Sequence, residues 1–294
     1  MLELKNVSKR YGTFTALSDL SFQLRPGEIV SLIGQNGAGK STTFHIILNF
    51  IQPTQGTVKG DPDYLKQLGY MPEERGLYPK ETIQSQMLYF AALHGMDRKT
   101  AKQELHQWMQ KLNVIGEVTD KVESLSKGNA QKVQLITCLM FKPKLLILDE
   151  PFSGLDPVNA ELLIDALLEA KQQGTMIIFS THNMANVERL SDYIVMLHHG
   201  RTILQGTPQD IYAQFGRRQL EIEGYHGDVQ QLAAWPGVTK LAERPSGRLS
   251  LELVDESVGK AIFREVTQNG YLPVFDQHYP TLDEIFKYEV AHAK

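Results

Sequence analysis

Residues 28–41 read Glu28-Ile29-Val30-Ser31-Leu32-Ile33-Gly34-Gln35-Asn36-Gly37-Ala38-Gly39-Lys40-Ser41. An apolar run of strand length feeds a glycine-rich segment. Phe44, Ile47, Leu48 and Ile51 then recur at helical spacing until Gln52-Pro53 ends the helix. Residues 34–41 fit G-x-x-x-x-G-K-[ST], in the strand, loop, helix order that a phosphate loop needs. The glycines let the backbone curl so that several N–H groups point inward, and the helix N-terminus adds partial positive charge. Lys40 is expected to reach the terminal phosphates and Ser41 to ligate Mg²⁺. Gly34, Asn36, Gly37, Ala38, Gly39, Lys40, Ser41 and Thr42 are the candidate phosphate contacts.

Further along, the apolar run Leu145-Leu146-Ile147-Leu148 ends in Asp149-Glu150. A buried strand delivers such carboxylates rigidly to the C-terminal edge of a sheet, where ligands of open α/β sheets bind. Asp149 is then the expected metal holder, and Glu150 the group that polarises an attacking water.

The pattern around these two segments sets the architecture. Before residue 28, LELKNV, YGTFTAL and LSFQL read as short strands of an antiparallel element broken by turns. Between Tyr78 and Leu125 the chain turns helical, with Ile83, Met87, Phe90 and Ala91 on one stripe and Leu105, Trp108, Met109 and Leu112 on another; a helical subdomain is expected over about residues 78–130. The runs LLIL and MIIFS then alternate with a helix over Val158 to Lys171, and YIVMLHHGRTILQG reads as a hairpin turning at Gly200. The order implies an α/β core, a mixed sheet with an antiparallel element. From Arg217 the order becomes β-α-β-β-α-β, that of a small α+β ferredoxin-like domain, with Phe263, Tyr271, Phe275 and Phe286 spaced as core residues. The expected domains are 1–216 and 217–294.

Composition narrows the class. With 294 residues, 42% hydrophobic and 22% charged, the chain is long enough for two cores and too apolar for wholesale disorder. No apolar run approaches the ~18 residues that cross a bilayer. The opening MLELKNVSKR lacks the layout of a secretory signal and Cys138 is the single cysteine, so a cytosolic, reducing compartment is expected. A net charge of -4 offers no overall positive field, and nucleic acid is not an expected partner. His198-His199, His45, His94 and His106 show no metal-ligand spacing.

Five further segments, with the phosphate loop and Asp149-Glu150, fall in the order of ATP-binding-cassette (ABC) ATPases, which the chain resembles over roughly residues 1–215. They are Tyr11 in KRYG, Tyr70-Met71-Pro72-Glu73, Leu125-Ser126-Lys127-Gly128-Asn129, Ser153-Gly154-Leu155-Asp156, and His182 after MIIFST. The resemblance implies a P-loop NTPase core that binds ATP and Mg²⁺. Tyr11 resembles the aromatic residue that stacks on adenine, a flat face on a flat face. Ser126 and Gly128 match the signature that contacts the γ-phosphate of ATP held by the opposite subunit. Asp156 lies in a segment resembling the turn that in the family runs along the dimer seam, and His182 resembles the switch histidine that senses the γ-phosphate. Taken alone, Ser126 and Asp156 read equally as helix N-caps.

Two positions depart from the commonest family pattern. The signature reads Leu-Ser-Lys-Gly-Asn where Leu-Ser-Gly-Gly-Gln is usual, and the loop that usually carries glutamine has Glu73, followed by Glu74 and Arg75. An anionic Glu73 near Mg²⁺ and γ-phosphate attracts the metal and repels the nucleotide. Both variants resemble a branch that drives ABC-2-type exporters, including sodium-export-like systems, whose chains also carry a C-terminal extension. The resemblance implies a homodimer or heterodimer of ATPase subunits, held at the cytoplasmic face of the membrane by an integral membrane permease subunit. Its rivals are a soluble cassette ATPase acting on a non-transport partner and a nucleotide-gated regulatory subunit of low turnover.

Overall fold

The computed structural model describes residues 1–61, 64–74, 76–268 and 270–293; Arg75 lies outside them. The chain forms two compact units, Met1–Thr207 and Pro208–His292.

The first unit opens with β1 (Leu2–Tyr11) and β2 (Phe14–Leu24), two long antiparallel strands turning at Gly12 (φ 58°) in place of the several short ones expected. The break expected at Ser18-Asp19 is a bulge, and a second bulge falls at Asn6, inside the segment read as a strand. Asn6 and Asp19 take left-handed conformations, φ 50° and 57°, and Asn6 Nδ2 donates to Asp19 Oδ1 at 2.6 Å. The Asp19 N–H donates to Ser8 Oγ, so side chains satisfy backbone groups where the ladder shifts register.

The chain then runs through β3 (Ile29–Ile33), α1 (Lys40–Ile47), β4 (Gln55–Lys59), β5 (Leu68–Met71), α2 (Ile83–Leu93), α3 (Arg98–Lys111) and α4 (Lys127–Leu139). It continues with β6 (Leu145–Asp149), α5 (Pro157–Gln172), β7 (Met176–Ser180), α6 (Met184–Leu190) and the hairpin β8 (Tyr193–His198) and β9 (Arg201–Gly206). The nine strands make one sheet in the order β4-β1-β2-β9-β8-β3-β7-β6-β5. Strands β5, β6, β7, β3 and β8 run parallel to one another, and β9 closes against β8 antiparallel.

Strands β3, β6 and β7 are buried along their whole length, which is why they read as unbroken apolar runs. Successive side chains still alternate between two cores. Ile147 and Ile178 pack with Phe44 and Ile47 on one side, while Leu146, Leu148, Ile177 and Phe179 pack with the helices on the other. Ile83, Met87, Leu105 and Leu112 fill that second core, as their spacing predicts, and Trp108 lies at its margin. Helix α4 runs on to Leu139, past the end expected for the helical subdomain, because its second half packs against the central sheet rather than within the insert.

The second unit holds α7 (Pro208–Phe215), β10 (Gln219–Glu223), α8 (Val229–Ala233), β11 (Val238–Glu243), β12 (Leu249–Leu253), α9 (Glu256–Val266), β13 (Val274–His278) and α10 (Leu282–His292). Its four strands pair antiparallel in the order β11-β12-β10-β13, the ferredoxin-like arrangement. The units divide after Thr207, ahead of the boundary expected after residue 216. Helix α7 belongs with the second, where Tyr212 stacks on Tyr279 and Phe215 meets Tyr288 edge-on. The core differs from expectation. Aliphatic residues fill it, among them Leu220, Ile222, Leu249, Leu251 and Ile262. The aromatics stand at its edge or beyond: Phe263 and Phe275 pair edge-on, Phe286 is half-buried, and Tyr271 is 87% exposed because the last strand starts only at Val274.

Ile147→Ala should lower stability by about 2–5 kcal/mol, since it opens a cavity in a fully buried central strand. Chemical denaturation should register the loss as a lower midpoint with an unchanged slope.

Candidate nucleotide site

The loop between β3 and α1 can only be built with glycine where it passes closest to the β-hairpin. At Gly39 (φ 109°) an added Cβ would lie 2.7 Å from Leu17 Cδ2 and 2.8 Å from Ala16 O. Gly39 also gives α1 no side-chain cap, so the first N–H groups of the helix are left to a ligand. Lys40 is buried and its ammonium bridges the loop, donating to Gly34 O at 2.7 Å and to Gln35 O at 3.3 Å.

Strand β6 brings Asp149 opposite this helix start, with Ser41 Oγ donating to Asp149 Oδ2 at 3.2 Å. On the other side of the carboxylate, Ser180 at the end of β7 donates to Asp149 Oδ1 at 2.5 Å. Glu150 leaves the strand with φ 50°, a strained conformation for a glutamate, and its N–H donates to Ser180 Oγ at 3.0 Å. Its carboxylate Oε2 lies 3.0 Å from Nδ1 of His182. Behind Asp149, burial and then the nearby carboxylate push the Tyr70 phenol up to about 12, so it stays neutral.

A cavity of about 340 Å³ lies among these groups, lined by Phe14, Ala16, Asn36, Gly37, Gly39, Lys40, Ser41, Thr42, Glu73, Asp149 and Glu150. Glu73 thus faces the phosphate loop. Gln134 of α4 secures its loop by donating to Pro72 O and Glu74 O. Tyr11 is not part of this lining. It stands half exposed at the end of β1, with Lys9 Nζ 5.1 Å from its ring centre. Phe14, which carried no expectation, lines the cavity and is paired directly across from Tyr11 in the hairpin. The spacing Tyr-Gly-x-Phe around a tight turn was the available signal.

Ser126, Gly128 and Asp156 form a second group. Ser126 caps α4 by accepting from the Asn129 N–H, and Asp156 caps α5 by accepting from the Asn159 N–H. That N–H, with the Asn159 side chain, holds the exposed Asp156 carboxyl below its usual range. The two caps are neighbours: a Cβ on Gly128 would touch Leu155, and Lys127, the unusual signature residue, lies over Gly154 (φ 75°). A side chain at Gly154 would meet Lys127 Cε at 2.6 Å, so the turn accommodates the lysine by having none.

The donor set suits Mg²⁺. Among the described residues there is no cluster of three or more His, Cys, Asp or Glu able to cage a metal. A hydroxyl and one carboxylate side by side, at a helix start open to phosphate, fit a cation that keeps most of its waters and shares phosphate oxygens.

A phosphate loop, an acidic pair and a histidine on adjacent parallel strand ends define a P-loop nucleoside-triphosphatase. Residues 17–153 match the ABC transporter family, and residues 206–290 match the C-terminal domain of DrrA1-3-like ATP-binding proteins. The chain is 38% identical over 291 residues to the ABC transporter ATP-binding protein YhaQ of Bacillus subtilis, covering 97% of each. It is 34% identical over 245 residues to the Nod factor export ATP-binding protein I of Rhizobium etli, covering 80% of this chain and 77% of that one. The solved structure of an ATP-binding subunit of an ABC transporter aligns with TM-score 0.68 at 34% identity, over 73% of this chain and 93% of that one. The chain belongs to the ABC transporter ATP-binding proteins, which hydrolyse ATP. No helix among the described residues is long and apolar enough to cross a membrane.

Cys138 in α4 donates to Tyr70 O, at the start of the Glu73 loop, and burial pushes its thiol up to about 12. Iodoacetamide at pH 8 should therefore leave the folded chain unmodified and label one thiol in urea, as intact-mass measurement will show. Labelling of the native chain at the denatured rate would contradict the burial.

Proposed function

We propose that this chain is the cytoplasmic-face ATPase subunit of an exporter, closing head to tail with a second cassette, identical or related, on two bound Mg-ATP and driving a separate integral membrane permease. The observation that carries this is the division of the candidate residues into two groups. One chain gathers the phosphate loop, Glu73, Asp149 and Glu150 around one cavity, with His182 outside its lining but in contact with Glu150, while Ser126, Gly128 and Asp156 sit together on exposed caps away from that lining. A twofold pair lets each exposed group complete the partner's cavity, so both half-sites belong in one sequence.

Within that pair the residues take these roles. The loop N–H groups and the uncapped start of α1 hold the phosphates. Lys40 exchanges the carbonyls of Gly34 and Gln35 for phosphate oxygens. Tyr11 and Phe14 offer faces to adenine at the end of the hairpin. Ser41 and Asp149 hold Mg²⁺, which when bound offsets phosphate charge, and Glu73 stands across the cavity from them. Glu150 takes a proton from the water that attacks the γ-phosphorus, and ADP departs with the electron pair of the broken bond. His182 bonds to Glu150, and turning to the γ-phosphate would free that carboxylate for water. Ser126 and Gly128 bind the same γ-phosphate from the partner, so ATP favours the closed pair through contacts the open pair lacks.

The permease is reached through the helical subdomain. Gln134 ties the Glu73 loop to α4, and beside that loop a groove of about 680 Å³ is lined by Tyr78, Pro79, Ser85, Gln86 and Tyr89. Export is favoured by the similarity to the Nod factor export protein.

Glu150→Gln should slow steady-state phosphate release by about 10²–10⁴-fold while retaining ATP binding, and should elute as a dimer with ATP and as a monomer without it. Lys40→Ala should weaken ATP binding itself. A Glu150→Gln protein that keeps full turnover would remove the assigned base. One that stays monomeric at saturating ATP, even with its permease, would remove the paired mechanism. Gentle isolation from the native membrane should bring down an integral membrane subunit.

A further inference from the structure

Ser180 carried no expectation from the sequence, yet it joins both members of the acidic pair. It ends β7 and sits directly beside Asp149, the last residue of the parallel neighbour β6, so their side chains share a face on strands about 4.8 Å apart. Its hydroxyl is fully buried and has one proton to give and lone pairs to receive. The proton goes to Asp149 Oδ1, and a lone pair accepts the N–H of Glu150. At Glu150 the backbone turns to φ 50° and leaves the strand, so this N–H has no further ladder rung to join; the serine oxygen supplies one.

We infer that Ser180 is a positioning residue for hydrolysis, acting through Asp149 and Glu150; the inference rests on the roles given to those two residues above. By occupying Oδ1 it fixes the carboxylate so that Oδ2 faces Ser41 Oγ, where the metal is to be held. By holding the Glu150 N–H it fixes the turn that carries the Glu150 carboxylate to His182 and the cavity. One hydroxyl therefore sets the metal-facing oxygen and the base together, in the way outer partners of a metal ligand orient it. The metal's dependence on Ser180 follows from the orientation of Asp149, and the turnover effect from both.

The test uses the full chain and reads four quantities on Ser180→Ala and Ser180→Thr: thermal midpoint, ATP affinity in EDTA, kcat against KM, and the Mg²⁺ concentration giving half-maximal turnover. Ser180→Ala should remain folded and bind ATP in EDTA as the unmodified protein does. Its kcat should fall, and its half-saturating Mg²⁺ should rise, each by about 10–100-fold. Ser180→Thr, which keeps the hydroxyl on a strand position, should restore both to within about threefold of the unmodified protein. If Ser180→Ala does not fold, Ser180→Cys takes its place and should shift the same two readings in the same direction, since a thiol is a weak donor and acceptor. Unchanged kcat and Mg²⁺ dependence in the folded alanine or cysteine variant overturns the inference, as does a threonine variant no better than alanine. Asp149→Asn separates the two levels: if it shifts the Mg²⁺ dependence and Ser180→Ala does not, only the role of Ser180 falls. If Asp149→Asn leaves it unmoved, the role of Asp149 falls as well.

Discussion

The site depends on the register of three buried parallel strands. Ser180 of β7 lies between Leu32 of β3 and Asp149 of β6 in the ladder, so the strands that carry the phosphate loop, the acid pair and the histidine all stop at one edge. Because side chains alternate with a period of two, a slip of one residue in β6 would turn Asp149 away from Ser41 and send Ile147 into the wrong core. Burial on both faces prevents such a slip, since every alternative register places bulky aliphatic groups against the opposite layer. The rigidity of the chemistry at the edge is thus a by-product of packing several residues away from it.

Against that rigid frame, charge is distributed unevenly. Lys40 is buried in the loop and bonded to two carbonyl oxygens, while Asp149, Glu150 and Glu73 face the same cavity. Phosphate entering this cavity meets one ammonium and three carboxylates, so the metal proposed above would offset the excess negative charge. Glu73 adds to that excess. Its loop is tied to α4 through Gln134, so a change in what Glu73 faces bears directly on the helix that also begins at Ser126.

The sequence was most informative where local chemistry and tertiary position coincide. The phosphate loop, the apolar strands and the helical stripes were readable because glycine spacing, full burial and a 3.6-residue period each leave a mark that little else produces. Asp19, between two expected short strands, reads as a turn because a bulge and a turn draw on the same left-handed, self-bonding residues; only its long-range bond to Asn6 distinguishes the two. Phe263 and Tyr271 misled because aromatic residues at plausible spacing do not reveal that aliphatic side chains have already filled the interior. Phe14 and Ser180 escaped notice for a different reason: their importance comes from the strand beside them, and one strand's pattern does not state its neighbour.

Ser126 and Asp156 are caps, and capping need not compete with the roles proposed for them in the paired cassette. Ser126 caps α4 as an acceptor, taking the Asn129 N–H on a lone pair. A hydroxyl that accepts on one lone pair keeps its proton to donate, as the proposed phosphate contact would require, and the helix start would reinforce it. Asp156 is ionised and acceptor-only, and Asn159 approaches both of its oxygens, so it is better suited to receive donors from a facing surface than to meet phosphate. In the proposed pair the serine would cap its helix and meet an anion at the same time, whereas the aspartate, acceptor-only beyond Gly154, suits donors.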